Sequence, residues 1–266
     1  LLGLSCAPPP VSPGPVGAAR AALEERIGPA GREGPVFCRS DRLCGSDVLP
    51  GFYRARGFRP AWIDDGLALA DAESFLGALR QVEEEGLNPE NYHLSAIAGL
   101  LDEIRASRGN KLEAVRAEAL TDLEMLLTDA FLLCGSHLVH GQLNPETIQS
   151  EWFIKGRTED LAAALEKGLA EGDIPGALAS LRPSHAVYEG LRKAFRDYGT
   201  VVSTGGWPPF PPGPKLQKGD KDPRVEALRA TLTAMGEHTP QIDGDRPFFD
   251  GGLEASLQAF QRRHGL

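Results

Sequence analysis

The chain has little sulfur and no long apolar stretch. Its 266 residues include two methionines and four cysteines, and no second close Cys pair accompanies Cys38 and Cys44. A zinc site of the paired-cysteine kind is thereby disfavoured. No run of eighteen apolar residues occurs, so the sequence offers no membrane-spanning helix. Basic blocks are missing as well. With 28 Lys and Arg against 37 Asp and Glu the formal charge is −9, which leaves no expectation of a nucleic-acid partner. The hydrophobic share of 41% suits a globular protein, and the length suits one large or two modest domains.

What is present is helical periodicity with clear stops. "DAESFLGALRQVEEEGL" predicts an amphipathic helix that opens on a capping Asp71, sets Phe75, Leu76, Leu79 and Val82 on one face, and ends at Gly86. "NKLEAVRAEALTDLEMLLTDAFLLCGSHLVHG" is the longest periodic segment. Leu120, Leu123, Leu127, Phe131 and Leu138 mark it as a core helix, closed by Gly141 and Asn144-Pro145. Two further helices are expected in "TEDLAAALEKGLAEG" and "SHAVYEGLRKAFRDYG", separated by "DIPGALASLRP". Residues 21–203 thus read as one all-α, multi-helix domain, preceded over 1–20 by a Pro/Gly-rich tether.

Composition then breaks. "TVVSTGGWPPFPPGPKLQKGD" packs Gly and Pro around Trp207 and Phe210, a density that no regular helix or central strand tolerates, and 204–214 reads as a linker. In 215–266, Pro223 stands near a helix start, Val225, Leu228, Leu232 and Met235 form a stripe, and Gly236 is a stop. A second short helix carries Leu253, Leu257 and Phe260. Two short helices bury little, so this segment is expected to be a small three-helix module that is incomplete at its C-terminal end.

Several side-chain sets invite a chemical reading. In "CGSHLVHG", Cys134, His137 and His140 lie three apart and share part of a helical face. A nucleophile needs a thiolate beside its base, and a metal needs a fourth ligand that the segment does not identify. A packed cysteine with hydrogen-bonded or exposed histidines is the preferred reading. Asp64-Asp65 and Glu83 to Glu85 could form a carboxylate pair for glycan cleavage, but a solvated loop and helix end are preferred. Asp243, Asp245 and Asp250 lack the later Glu of a calcium loop. Trp207, Phe248 and Phe249 could stack on sugar faces, with Phe249 alternatively packed beneath the two helices. No catalytic residue, metal or cofactor is expected in this chain.

"LLGLSC" followed by "APPPVSPGPVG" resembles a bacterial lipoprotein signal, with Ser5 before the cleavage point and Cys6 as the lipidated residue. In the oxidising compartment that this implies, Cys38 and Cys44 of "FCRSDRLCG" are expected to close a short disulfide; two independent thiols are the other possibility.

"KLQKGDKDPRVEALRATLTAMG" and "FFDGGLEASLQAFQRRHGL" resemble the small peptidoglycan-binding module of bacterial cell-wall enzymes. Trp207, Phe248, Phe249 and Asp250 are its candidate binding residues. "YRARGFRPAWID", "EEEGLNPENYH", "LTDAFLLCGSHLVHGQLNPETI" and the segment "LRPSHAVYEGLRKAFRDYGTVVSTGGWPPFPPGPKLQKGD" together resemble the N-terminal scaffold of the large L,D-transpeptidases. In that family a catalytic cysteine sits in a Ser-His-Gly-Cys-x-Arg motif, which this chain lacks. The resemblance implies a non-catalytic scaffold and peptidoglycan-binding segment of a wall cross-linking or remodelling enzyme. Its partners would be glycan strands, stem peptides and a catalytic domain in the same parent chain. Its place would be the periplasm or the outer membrane of a Gram-negative bacterium, with membrane anchoring through the lipid on Cys6. The alternative is a standalone peptidoglycan-binding envelope adaptor without enzymatic activity.

Overall fold

The computed structural model describes residues 14–28, 36–45, 48–64, 69–106, 113–143, 147, 156–207, 209–237 and 247–266. Its longest element is helix α5, Glu113–His140, and the fold of the larger part of the chain is set by how deeply that helix is buried. Leu120, Leu123, Met125, Leu126, Leu127, Ala130 and Phe131 point in several directions around it, and all are inaccessible to solvent. A helix apolar all round must be surrounded by other elements. Helix α1 (Pro15–Ile27), α4 (Leu94–Ala106) and α6 (Leu161–Glu171) pack against α5, while α3 (Ala70–Arg80) packs on α4 and on α7 (Ile174–Ser180). The α6 and α7 pair approaches α5 closely at Gly135. A Cβ there would lie 2.9 Å from Leu181 Cδ1 and 3.2 Å from Leu161 Cδ2.

Three carboxylates on this buried helix hold the less regular segments that wrap it. Asp122 accepts hydrogen bonds from Arg26 Nη1 and Arg39 Nε, each at 2.7 Å, and from the Cys38 thiol at 3.3 Å. Glu124 accepts from the backbone N–H groups of Ala61 and Trp62, both at 2.8 Å, and from the Tyr53 hydroxyl at 2.9 Å. Asp129 accepts from the N–H groups of Gly45 at 2.6 Å and Cys44 at 3.2 Å, and pairs with His93 Nε2 at 2.8 Å. Thr128, one residue before Asp129, joins the Tyr53 hydroxyl at 2.7 Å and accepts from Trp62 Nε1 at 2.9 Å. The hairpin of β1 (Val36–Cys38) and β2 (Asp41–Leu43), helix α2 (Leu49–Ala55) and the turn after it are thus fastened to one helix. Each contact satisfies a polar group that would be costly if buried alone.

The all-α reading holds, with only this two-stranded ribbon added among the described residues. Several boundaries differ from expectation. Helix α1 begins at Pro15, inside the expected tether, and buries Ala19. Asp71 lies in the first turn of α3, behind an N-cap at Leu69, and α3 ends at Arg80. Val82–Glu85 then forms a 3₁₀ turn closed by Gly86 at φ 74°. The stretch "DIPGALASLRP" contains a helix, α7, because Asp173 caps it by accepting from Gly176 N and Pro175 suits its first turn. "FCRSDRLCG" forms the ribbon and its turn. Cys6, Asp65, Asp243, Asp245 and Asn144-Pro145 lie outside the described residues.

Contacts divide the chain into 1–185 and 186–266. Helix α8 (Ala186–Ser203) therefore groups with the C-terminal unit, whereas the composition break had suggested a boundary after 203. In that unit α9 (Arg224–Ala234) and α10 (Gly251–Arg263) share a small core of Val225, Leu232, Phe249 and Leu253.

Burial pushes the Glu124 carboxyl up to about 7, outweighing the opposing pull of the Ala61, Trp62 and Tyr53 donors. A carboxyl whose folded pKa is raised favours the fold while protonated. That contribution is complete near its ordinary pKa of 4.5 and is lost as pH rises through about 7. Urea-unfolding free energy of the wild type is expected to carry this decline between about pH 4.5 and 7. In Glu124→Gln the decline in that window should be absent.

Candidate functional site

The candidate binding surface is built where the loop before α9 meets the turn before α10. Gly219, at φ 95°, turns the chain so that its N–H reaches Phe249 O at 2.9 Å. Phe249 N–H donates to Asp220 O at 2.8 Å, and Asp222 N–H to Pro247 O at 2.9 Å, around an antiparallel bridge of Lys221 and Phe248. Side chains alternate across such a pairing. Phe249 is accordingly 2% exposed beneath α9 and α10, and Phe248 is 41% exposed on the outside.

Asp250 has a structural task. Its Oδ1 caps α10 by accepting from Leu253 N–H at 2.8 Å, and its Oδ2 accepts from Arg229 Nη2 at 2.6 Å. Burial alone would raise its pKa, but the Leu253 amide, the Arg229 guanidinium and the Gly252 amide hold it below the usual carboxylate range. Arg229 also donates to Phe248 O at 3.1 Å, so the same guanidinium fixes the backbone that presents the exposed ring. Trp207 is placed elsewhere in the unit, beside Tyr198 with ring centroids 5.9 Å apart. Of the four residues expected to bind, Phe248, Phe249 and Asp250 are assembled together. Only Phe248 among these three offers a face to a ligand.

The remaining candidates fall inside the larger unit. Cys134 is fully buried, and burial pushes its thiol up to about 12, with the nearby Arg182 opposing and Glu85 adding to the rise. His137 pairs with the Tyr92 hydroxyl at 2.9 Å, and burial lowers its pKa. His140 is exposed and lies 3.2 Å from Ser136 O. The segment therefore has its three polar residues in separate surroundings, with the cysteine in the state least suited to act as a nucleophile. Glu85 does not solvate a helix end as expected. Its side chain is 1% exposed and forms an ion pair with Arg182 Nε at 2.7 Å.

The expected disulfide between Cys38 and Cys44 is not formed; both are free thiols. The reason lies in the ribbon register, which pairs Cys38 with Asp41 and Val36 with Leu43. Cys38 and Leu43 face the core, and the next residue, Cys44, points to the opposite, exposed side. The Cys38 thiol is also engaged by Asp122, and burial together with that negative charge pushes it up to about 12.

The groups that organise the molecule, Asp122, Glu124 and Asp129, were not singled out by motif reading. Their signal was present as three acidic residues inside the longest periodic segment, among the apolar positions from Leu120 to Phe131, where charge is retained only with partners. Residues 47–195 match a family model described as Scaffold domain. The chain belongs to the scaffold-domain family. No curated protein matches it. In this scaffold-domain protein the matched span begins after the ribbon and covers α2 to α7 and the first half of α8.

Two outcomes are expected. Alkylation of the folded protein followed by peptide mapping should label Cys44 and leave Cys38 and Cys134 protected until denaturant is added; equal labelling of Cys38 would contradict its place under Asp122. Replacement Asp250→Ala should lower the stability of the α9 and α10 pair by about 1 to 2 kcal/mol, the usual cost of a lost helix cap. Faster amide exchange confined to α10 and its preceding turn is the readout.

Proposed function

We propose that this chain is the non-catalytic scaffold and peptidoglycan-binding part of a cell-wall L,D-transpeptidase, held at the periplasmic face of the envelope. The supporting observation is the presentation of Phe248. A ring left outside by strand alternation, while its neighbours Phe249 and Asp250 are fully used in folding, has the form of a stacking platform for a sugar face. Trp207, 39% exposed, offers a second platform in the same unit.

The scaffold-domain family membership supports the other half of the reading. A buried helix with its polar groups fastened to the surrounding segments gives a stiff body from which a small module can be displayed. In this reading the catalytic cysteine belongs to a further domain of the parent protein. A lipid on Cys6 anchors the assembly to the membrane, and glycan strands with their stem peptides are the ligands.

The test is retention on lipid-free purified sacculi. The wild-type chain should cosediment with them, and Phe248→Ala should weaken retention by roughly five- to tenfold, in keeping with the loss of one stacked aromatic contact. The same preparations should release no product from tetrapeptide muropeptides. Failure of the folded wild type to bind sacculi, or unchanged retention in Phe248→Ala combined with Trp207→Ala, would overturn the proposal.

A further inference from the structure

Helix α8 (Ala186–Ser203) has no buried residue. Its apolar side chains nevertheless fall on one side: Val187, Leu191, Phe195, Tyr198 and Val202 follow each other at spacings of four and three. Leu191 is 66% exposed, Phe195 55% and Val202 60%. Ala194, Tyr198 and Val201, at one edge of this stripe, line a cavity with Ala234 and Met235, and the outward arc that remains, from Val187 through Leu191, Val202 and Phe195 to Tyr188, is still wider than a narrow seam. An exposed apolar face of this size marks an interaction surface in a soluble domain.

The arrangement favours one kind of occupant. A two-stranded coiled coil uses a narrow seam sustained over three or more heptads, and α8, at 18 residues, is shorter and its arc wider. A helix lying in a lipid interface has instead a broad apolar face carrying aromatics, a charged opposite face and little net hydrophobicity. Helix α8 has these properties, with Arg192, Lys193 and Arg196 against Glu189 and Asp197 on its polar side. The exposed Phe210 follows soon after, and an aromatic ring favours the boundary between water and lipid. The charge of its own unit does not oppose an anionic surface. The acidic excess of the chain lies in residues 1–185, whereas 186–266 hold eleven basic and ten acidic residues.

We propose that α8 is a peripheral lipid-binding helix, which lays its Leu191, Phe195 and Val202 face into a bilayer surface containing anionic lipid. The site is distinct from the Phe248 surface and does not depend on peptidoglycan binding or on a lipid at Cys6.

The experiment uses the full chain with Cys6→Ser, so that no acyl group contributes. Flotation is measured with vesicles of phosphatidylethanolamine and phosphatidylglycerol, and with vesicles of phosphatidylcholine alone. The protein is expected to float with the anionic vesicles and much less with the neutral ones. The double replacement Leu191→Asp, Phe195→Asp should reduce the partition coefficient by at least about tenfold, the loss expected for removing two buried apolar side chains. Circular dichroism confirms that the variant remains folded, and Phe248→Ala should float as the wild type does. The proposal is overturned if the folded wild type does not float, if it floats equally with neutral vesicles, or if the double variant floats unchanged. It is overturned equally if sedimentation equilibrium shows a dimer that the double replacement dissociates, since a second copy would then cover the face.

Discussion

Burying α5 on every side creates an obligation: any charge it carries must find partners away from water. A lone carboxylate in an apolar interior would be protonated or would destabilise the fold. Asp122 and Asp129 meet that demand through partners, and Glu124 meets it partly through partners and partly by holding its proton up to about pH 7. Asp122 takes two guanidinium groups and a thiol. Glu124 takes two consecutive backbone amides and a phenol. Asp129 takes two more backbone amides and an imidazole. Since the donors come from the N-terminal helix, the ribbon, α2 and the turns that follow it, satisfying the carboxylates also decides where these pieces of chain lie.

This constraint separates the two units in kind. The larger one has a continuous core from Ala19 to Leu181. The smaller rests on Val225, Leu232, Phe249 and Leu253, with a capped turn and a short backbone pairing to order it. A core of that size leaves little stability to spare, so Asp250 and Arg229 matter more to it than a partly exposed ion pair would matter in the larger unit. Presenting a ring such as Phe248 on a small, turn-rich body follows a general division of labour. Rigid elements supply position, and loops supply contact.

Much of the helical plan was legible in the sequence. The stripe Phe75, Leu76, Leu79, Val82 and the run from Leu120 to Leu138 are buried as their spacing indicates. Gly141 and Gly236 take the positive φ that their positions as stops required. Local signals failed where long-range pairing decides. The ribbon at Val36–Leu43 is three residues a side, too short for alternation to show, and is fixed by Asp122 and Asp129 some 84 residues away. The closeness of Cys38 and Cys44 suggested a bond because sequence distance does not reveal which face of a ribbon each occupies. For the candidate site, "FFDGG" displayed its aromatic and capping residues plainly. Which phenylalanine faces out depends on the pairing with residues 219–222, a tertiary fact.

The account turns on buried carboxylates that anchor irregular segments, and native-state hydrogen exchange reads this anchoring directly. The amides of Gly45, Ala61 and Trp62 lie in turns or outside regular structure, and each donates to a carboxylate on α5. They are predicted to exchange in the slowest class, together with the middle of α5, through opening of the whole unit. Exchange at the rate of exposed loops, while α5 stays protected, would contradict the claim that these carboxylates hold the surrounding chain in place.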